Sequence, residues 1–311
     1  MRAFASDSYT VELPTEHRFP MGKYRALRER LVERRLLEAD QIEVAPTVDP
    51  ARLEAVHDPG YVRAFLDGSL PRDAVRRLGF PWTPSYARRA LASVGGTLQA
   101  TRAALEDGLA GALAGGTHHA HRDFGAGYCA FNDLAVATHW LLEEAGVERV
   151  LIFDVDVHQG DGTAAMLQDE PRAFTCSLHG ARNFPARKTV SDLDVPLADG
   201  TDDEAYLVAL DAALEEALER ARPQFVLAQL GVDVLEVDRL GRLALSPAGV
   251  RARDRRLLER FRGEGLPVVM TLGGGYAEPI DATVDAHVAT WEVALELEAR
   301  TAASGEPFRT A

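Results

Sequence analysis

Four short apolar runs separated by helical patterns constrain the fold of this chain most strongly. The runs occupy residues 150–153, 174–178, 225–230 and 267–272. Continuous apolar runs of this length are typical of parallel strands buried on both faces. Helical periodicity marks the segments around them, at residues 23–38, 85–106, 132–145, 202–221, 248–262 and 284–300. Such alternation predicts an α/β fold in which helices cover both faces of a central parallel sheet.

The length and composition are those of an ordinary globular protein. With 311 residues, of which 46% are hydrophobic and 26% charged, the chain can bury one large core. We therefore expect a single domain over residues 1–311. Residues 301–311 are expected to form a flexible tail, because Ser304, Gly305 and Pro307 disfavour a helix. The alternating charges of residues 23–38 predict a solvated helix.

Charge and cysteine content narrow the partners and the compartment. The net charge of −14 argues against binding to nucleic acid or to an anionic membrane. Cys129 and Cys176 are the only cysteines and form no Cys-x-x-Cys pair, which fits a reducing compartment. Polar residues begin within the first seven positions, and no apolar stretch is long enough for a signal peptide or a membrane span. We therefore expect a cytoplasmic protein, whose oligomeric state the sequence does not give.

Asp156 and His158 follow the apolar run at residues 150–153. Residues two apart in an extended chain lie on the same face. Gly160 and Gly162 end the strand, so both side chains are expected beyond its carboxyl end, where open α/β sheets bind their ligands. A carboxylate and an imidazole at this spacing suit Zn²⁺ or another divalent first-row metal. The pair therefore predicts a metal site.

A tandem histidine follows another small, apolar segment, at residues 115–120. Adjacent side chains in an extended chain point to opposite sides, so His118 and His119 can face one pocket only where the backbone turns sharply. Gly115 and Gly116 permit that turn. The pair is typical of general acid–base chemistry near neutral pH. The alternative is that one of the two histidines is merely buried and hydrogen bonded.

Two further polar groups follow apolar runs. Asp233 comes after residues 225–230, and as a third ligand beside Asp156 and His158 it would leave a tetrahedral position open, as in catalytic zinc sites. Three glycines precede Tyr276, but their spacing matches no phosphate-binding motif. A tyrosine hydroxyl beside a metal is suited to stabilising an oxyanion. Together these residues predict a metal, a base and an oxyanion donor at one edge of the sheet.

The chain resembles the zinc-dependent histone deacetylase family, and most closely its class IV members and the bacterial histone deacetylase-like amidohydrolases. The matching segments are residues 115–120, 127–133, 154–162, 177–179, 231–233 and 273–276. The resemblance implies the arginase-deacetylase fold, with a parallel sheet of about eight strands. It also implies a zinc hydrolase that removes an acyl group from an amine, either an acyl-lysine, an acetylated polyamine or another small amine.

Zinc ligands and an oxyanion donor are implied by the same resemblance. Asp156, His158 and Asp233 would bind one Zn²⁺ ion. Tyr276 would donate a hydrogen bond to the substrate carbonyl and to the tetrahedral intermediate.

The resemblance further assigns the histidines. His119 would act as general base and then as general acid, and His118 would assist it electrostatically. Asp154 and Asp161 match the carboxylates that orient the first and the second histidine.

A potassium site and a substrate channel are also implied. The potassium ligands would be Asp154, Asp156, Ser177 and the backbone carbonyls of His158 and Leu178. The channel would be walled by Gly127, Tyr128, Phe184 and Gly274. The remaining histidines are interpreted as structural or surface residues, namely His17, His57, His121, His139, His179 and His287.

Two other functions are alternatives to the deacylase. An arginase-like two-metal site needs extra carboxylates, but Gly160 and Leu235 stand at those positions, which favours one metal. A non-catalytic acyl or acetate binder would lack a ligand, a base or the tyrosine, and all are present. The substrate stays open between a protein lysine and a small amine. Asp123 or Glu278 could provide the acidic rim that a polyamine requires.

Overall fold

The computed structural model describes residues 1–14 and 16–304. It contains one sheet of eight strands, all of which run parallel. The strands are β1 (Arg2–Ala5), β2 (Ile42–Val44), β3 (Leu109–Ala112), β4 (Val150–Asp154), β5 (Ala173–Gly180), β6 (Leu193–Leu197), β7 (Phe225–Gln229) and β8 (Val268–Thr271). Their order across the sheet is β2-β1-β3-β8-β7-β4-β5-β6. The predicted α/β fold with a parallel sheet is confirmed.

Helices connect the strands. They are α1 (Lys23–Glu33), α2 (Pro50–Glu54), α3 (Pro59–Asp67), α4 (Arg72–Leu78), α5 (Pro84–Asp107), α6 (Asp133–Glu143), α7 (Asp161–Leu167), α8 (Asp203–Ala221), α9 (Pro247–Gly263) and α10 (Asp281–Ser304). Side-chain caps fix several helix starts. The Asn132 side chain accepts from the backbone N–H of Ala135, and the Asp202 side chain accepts from that of Ala205. No helix in the described residues is both long and apolar enough to cross a membrane.

Helices cover both faces of the sheet, as strand β4 illustrates. Leu151 and Phe153 point into one buried cluster, which includes core residues of α8, α9 and α10. Val150 and Ile152 point into a second cluster, which includes alanines and leucines of α5 and α6. Because side chains alternate along a strand, a continuous apolar run places residues in both clusters.

One close contact explains the small residues of β3. A Cβ atom at Gly111 would lie 2.9 Å from the ring of Trp291, which belongs to α10 and is fully buried. Strand β3 therefore has room for Leu109–Ala112 only because the residue facing the indole lacks a side chain.

The structure departs from the sequence-based expectations at α1. The helix ends at Glu33 instead of residue 38. It also buries one face, which includes Lys23, Tyr24, Leu27 and Leu31, so the expectation of a solvated helix was wrong. The spacing of the buried tyrosine and leucines is that of an apolar stripe, which the neighbouring charges obscured.

The carboxyl-terminal helix also differs from the expectation. Helix α10 runs to Ser304, four residues into the segment predicted to be a tail. The hydroxyl of Thr301 donates to the carbonyl of Leu297, one helical turn earlier. Residues 305–311, the rest of the predicted tail, lie outside the described residues.

Parallel strands bring their carboxyl ends to one edge of the sheet. The loops that follow β3, β4, β5, β7 and β8 contain the segments singled out from the sequence. These five strands are neighbours in the order β3-β8-β7-β4-β5. The topology therefore brings the predicted site residues to one place, although they span residues 115–276.

Candidate active site

Three potential metal ligands converge at the sheet edge. One ligand atom each from Asp156, His158 and Asp233 lies within 4.8 Å of the other two, and all three residues are buried. The Nδ1 atom of His158 is 3.0 Å from an oxygen of Asp156 and 3.0 Å from an oxygen of Asp233. The structure thus brings together the three residues that were predicted to bind zinc.

Charge within this group is unbalanced. Burial disfavours a charged imidazole, but the carboxylates of Asp156 and Asp233 raise the pKa of His158 to about 10. Burial, together with repulsion from Asp156, raises the pKa of Asp233 to about 7. Two carboxylates around one imidazole therefore attract a positive charge, either a proton or a metal cation.

Neighbouring groups hold the carboxylates in place. The backbone N–H of Gly274 donates to Asp156 at 2.7 Å, and that of Val157 donates to Asp233 at 2.9 Å. The side-chain amide of Gln229 also donates to Asp156, at 3.0 Å. Such supporting hydrogen bonds orient metal ligands and are needed for tight binding.

A sharp turn positions the two histidines. Gly115 and Gly116 have φ values of +82° and +72°, and the carboxylate of Asp133 accepts from the backbone N–H of Gly116. His118 and His119 are both buried, with ring centroids 4.1 Å apart. The turn therefore brings the two adjacent imidazoles side by side, with Nε2 of His118 4.0 Å from Asp156.

Each histidine has its own carboxylate. Nδ1 of His118 is 2.6 Å from Asp154, and Nδ1 of His119 is 2.6 Å from Asp161. Nε2 of His121 lies 3.2 Å from the other oxygen of Asp161. The two carboxylates therefore fix the orientation of both rings of the pair and, among the residues that the structure describes, leave their Nε2 atoms without a carboxylate hydrogen bond.

The two histidines differ in basicity. Burial disfavours protonation of His118, but the charges of Asp154 and Asp156 outweigh it and raise its pKa to about 9. Burial and the neighbouring His118 lower the pKa of His119 to about 4. The carboxylates thus favour the charged form of the first histidine, whereas burial favours the neutral form of the second.

A backbone hydrogen bond holds Tyr276 in place. Its N–H donates to the carboxylate of Asp238 at 2.6 Å. Its ring lies edge-on to His158, with 6.4 Å between centroids. Gly274 leaves space for this approach, because a Cβ there would lie 1.8 Å from a carboxylate oxygen of Asp233. The tyrosine loop and the potential metal ligands are thus packed directly together.

Aromatic side chains flank the site. The ring of Phe184 stands perpendicular to that of His119, 4.8 Å away, and this phenylalanine is 45% exposed. On the other side Tyr128 lies 6.2 Å from Tyr276, measured between ring centroids. Gly127 has no room for a side chain, because its Cβ would lie 2.6 Å from the ring of His119. The predicted channel residues therefore border the histidines and the tyrosine.

Comparison with known proteins places this site in a family. A model of the histone deacetylase domain matches residues 17–291. The chain belongs to the histone deacetylase family. Histone deacetylase 2 of Arabidopsis thaliana is 30% identical to this family member over 284 residues, which cover 87% of the chain and 73% of that protein. The histone deacetylase-like amidohydrolase of Pseudomonas aeruginosa is 33% identical over 258 residues, covering 76% of the chain and 67% of that protein.

A relative of unassigned function and a solved structure extend the comparison. An uncharacterized protein of Picosynechococcus sp. is 44% identical to this histone deacetylase family member over 279 residues, covering 90% of the chain and 93% of that protein. The crystal structure of the HDA15 HD domain superposes with a TM-score of 0.79 and 21% identity, covering 95% of this chain and 91% of that one. That likeness confirms the arginase-deacetylase fold.

The sequence did not predict several residues that lie at the site of this histone deacetylase family member. Gln229 was the only one with a usable signal, since a polar side chain in a strand buried on both faces must find partners. No sequence signal distinguishes Asp238 from other aspartates in loops. The interpretation of His121 as a structural or surface residue omits its contact with Asp161. Phe19, whose ring lies 5.0 Å from that of Tyr128, precedes α1 and gave no local signal.

Proposed function

We propose that this protein is a zinc-dependent deacylase, which hydrolyses the amide of an N-acylated amine to a free amine and a carboxylate. The main evidence is that three features meet at one sheet edge. They are the Asp156, His158 and Asp233 group, the carboxylate-bound pair His118 and His119, and the Tyr276 loop. Membership of the histone deacetylase family supports the same reaction class.

Asp156, His158 and Asp233 fit a single divalent cation. The donor set of one imidazole and two carboxylates suits Zn²⁺, and three protein ligands are typical of catalytic sites. The pKa values of His158 and Asp233 are both raised, because carboxylates lie close together there. A bound metal ion would supply the positive charge that these carboxylates attract. When bound, Zn²⁺ would polarise the scissile carbonyl and make a water molecule more acidic.

In this proposal His119 moves the proton. Its neutral form donates from Nδ1 to Asp161, so the lone pair on Nε2 is available to a water molecule in the pocket. As the water oxygen attacks the carbonyl carbon, Nε2 takes the proton. The same atom then gives the proton to the amine nitrogen when the C–N bond breaks. His118, fixed by Asp154 and packed beside His119, would assist electrostatically.

Tyr276 is proposed to donate its hydroxyl hydrogen to the carbonyl oxygen of the substrate. Burial raises the pKa of this phenol well above its ordinary value, so the hydroxyl keeps its proton at neutral pH. A preorganised donor contributes most as the carbonyl oxygen becomes negative.

The remaining binding assignments are proposals as well. Potassium would be bound by Asp154, Asp156, His158, Ser177 and Leu178; all five are buried, and Asp154 is paired with Ser177 in the sheet register. The acyl-amine chain would run between Phe184 and Tyr128. The absence of nucleic-acid and membrane partners and a cytoplasmic location stay predictions.

Acyl-lysine is favoured over a polyamine as the substrate. Glu278, one of the two carboxylates considered for a polyamine, forms an ion pair with Arg239 at 2.6 Å. That pair offsets the negative charge a second ammonium group would need. The other, Asp123, is exposed and leaves acetylpolyamine as a result that the substrate panel can reveal.

Release of free amine from a panel of acyl-lysines, from acetyl to myristoyl, with N-acetylputrescine added, tests the proposal. We expect turnover by the wild type that chelation abolishes. Tyr276→Phe should lower turnover by about 10²–10³. Val208→Ala, at an exposed position on α8, should leave it unchanged. A wild type that carries one zinc per chain and releases no amine from any substrate contradicts the proposal.

A further inference from the structure

Lys23 is buried, which is rare for a lysine. It is 2% exposed and is the first residue of α1. The chain has only two lysines among its 34 basic residues. The other, Lys188, donates to the backbone carbonyls of Asn183 and Pro185, on either side of Phe184. Lys188 therefore holds backbone carbonyls that flank an aromatic residue of the site.

The ammonium of Lys23 binds the glycine-rich loop before Tyr276. Its Nζ donates to the carbonyl of Gly275 at 3.2 Å and to that of Gly273 at 3.4 Å. Both glycines have positive φ values, +62° for Gly273 and +153° for Gly275. Their backbone conformation is thus one that other residues rarely adopt, and the lysine holds a carbonyl from each.

Aromatic rings complete the surroundings of this ammonium. Nζ lies 5.0 Å from the ring centroid of Tyr276, 5.3 Å from that of Tyr24 and 5.4 Å from that of Phe19. These distances are within the range of cation–π interactions. In the described part of the chain, no carboxylate forms an ion pair with Lys23. Its positive charge is therefore directed at the tyrosine loop, without an acidic partner.

The opposite side of the loop is attached to the potential metal site. The backbone N–H of Gly274 donates to Asp156, and the Gly274 carbonyl accepts from the backbone N–H of Val232. Lys23 holds the two carbonyls on either side of Gly274. The loop is thus fixed from two directions, one of which is the lysine.

We propose that Lys23 is a positioning residue for Tyr276, an inference that rests on the deacylase function proposed above. Its ammonium sets the path of the glycine loop and thereby the place of the tyrosine hydroxyl at the substrate carbonyl. It also puts a fixed positive charge behind the phenol ring, which favours negative charge at the hydroxyl's partner.

Variants at this position separate charge from packing. Lys23→Met keeps most of the side-chain length and loses the donors, so kcat should fall by about tenfold to a hundredfold with KM nearly unchanged. Lys23→Arg retains the charge but replaces a compact ammonium with a planar fork, and should recover part of the loss. In a Tyr276→Phe background, Lys23→Met should lower kcat by less than about threefold, since both changes act on one hydroxyl.

Amide hydrogen exchange provides a readout that does not depend on turnover. In the full chain, Lys23→Met should speed exchange in residues 272–277 by about tenfold while β7 exchanges as in the wild type. Unchanged exchange in residues 272–277, a matching increase in β7, or multiplicative effects of Lys23→Met and Tyr276→Phe on kcat would each overturn the proposal. A wild type without turnover would contradict the deacylase function, and the exchange experiment would still decide the role of Lys23.

Discussion

The backbone N–H of Tyr276 donates to the carboxylate of Asp238 at 2.6 Å. The second carboxylate oxygen of Asp238 accepts from the backbone N–H groups of Leu240 and Gly241. Asp238 thus ties the loop after β7, which contains the potential ligand Asp233, to the loop after β8. The position of the tyrosine depends on this link as well as on its own glycines.

Asp238→Ala should therefore impair catalysis without removing a ligand. We expect a fall in kcat of about tenfold or more, because three backbone N–H groups lose an acceptor and the Tyr276 loop loses an anchor. Asp238→Asn keeps one carbonyl oxygen and should lie between wild type and alanine. Steady-state kinetics beside zinc content measures this, and zinc lost in parallel with kcat would contradict a role in positioning the tyrosine.

Gly274→Ala should weaken metal binding. The added Cβ would lie 1.8 Å from Asp233 and 2.9 Å from Asp156, so at least one carboxylate must move. Displaced ligands and supporting groups typically weaken metal binding about 10–100-fold. Gly263→Ala is the matched control, since no atom lies within 4 Å of its added Cβ and its backbone is helical. Competition with a metal-binding dye gives both affinities, and equal values would contradict the assigned site.

His57 should make stability depend on pH. Its Nδ1 lies 2.9 Å from the His121 carbonyl, and its Nε2 accepts from the backbone N–H of Asn132, so the buried ring is neutral. Burial lowers its pKa to about 4, against 6.5 in the unfolded chain. Between these values the unfolded state binds the proton first, so stability falls as pH drops from 6.5 to 4, by roughly 3 kcal/mol.

His57→Gln provides the comparison for that prediction. Glutamine can both donate to the His121 carbonyl and accept from Asn132, but it does not titrate in this range. Urea unfolding at several pH values should therefore give a shallower loss of stability for the variant than for the wild type. Parallel curves would show that His57 does not contribute.

Phe184→Ala should weaken substrate binding more than chemistry. The half-exposed ring stands against His119, where an acyl-amine chain would pass. Losing this apolar wall should raise KM about tenfold and change kcat little, since it contacts ground state and transition state alike. Phe184→Leu should retain most of the affinity, and Val208→Ala, an exposed apolar site on α8, should have no effect. A loss confined to kcat would argue against this assignment.

Strong local patterns made most of the fold predictable. The four apolar runs became β4, β5, β7 and β8, which form the centre of the sheet with β3. Strands β2 and β6 lie at the sheet edges, and β6 even contains Pro196, so neither has a continuous apolar run. Strand β3 is short and built from small residues because Trp291 packs closely on Gly111. These strands therefore could not be predicted from apolar runs, because the edge strands are weakly buried and β3 is closely packed.

Site residues were predictable where a motif places them at a strand end. Asp156 and His158 are two positions apart on one strand end, and the tandem histidine follows two glycines. Lys23 had no such signal, because its partners lie 250 and 252 residues away and its neighbours are charged. Such contacts arise from tertiary packing, which local sequence patterns do not reveal.

Titration of metal-free protein with Zn²⁺ tests the central claim most directly. Amine release from the best acyl-lysine substrate is followed while bound zinc is counted in the same samples. The account predicts that activity rises in proportion to bound zinc and reaches its plateau at one ion per chain, with none for Asp233→Ala at the same zinc concentrations. Activity that persists without metal, or that needs two ions per chain, would contradict it.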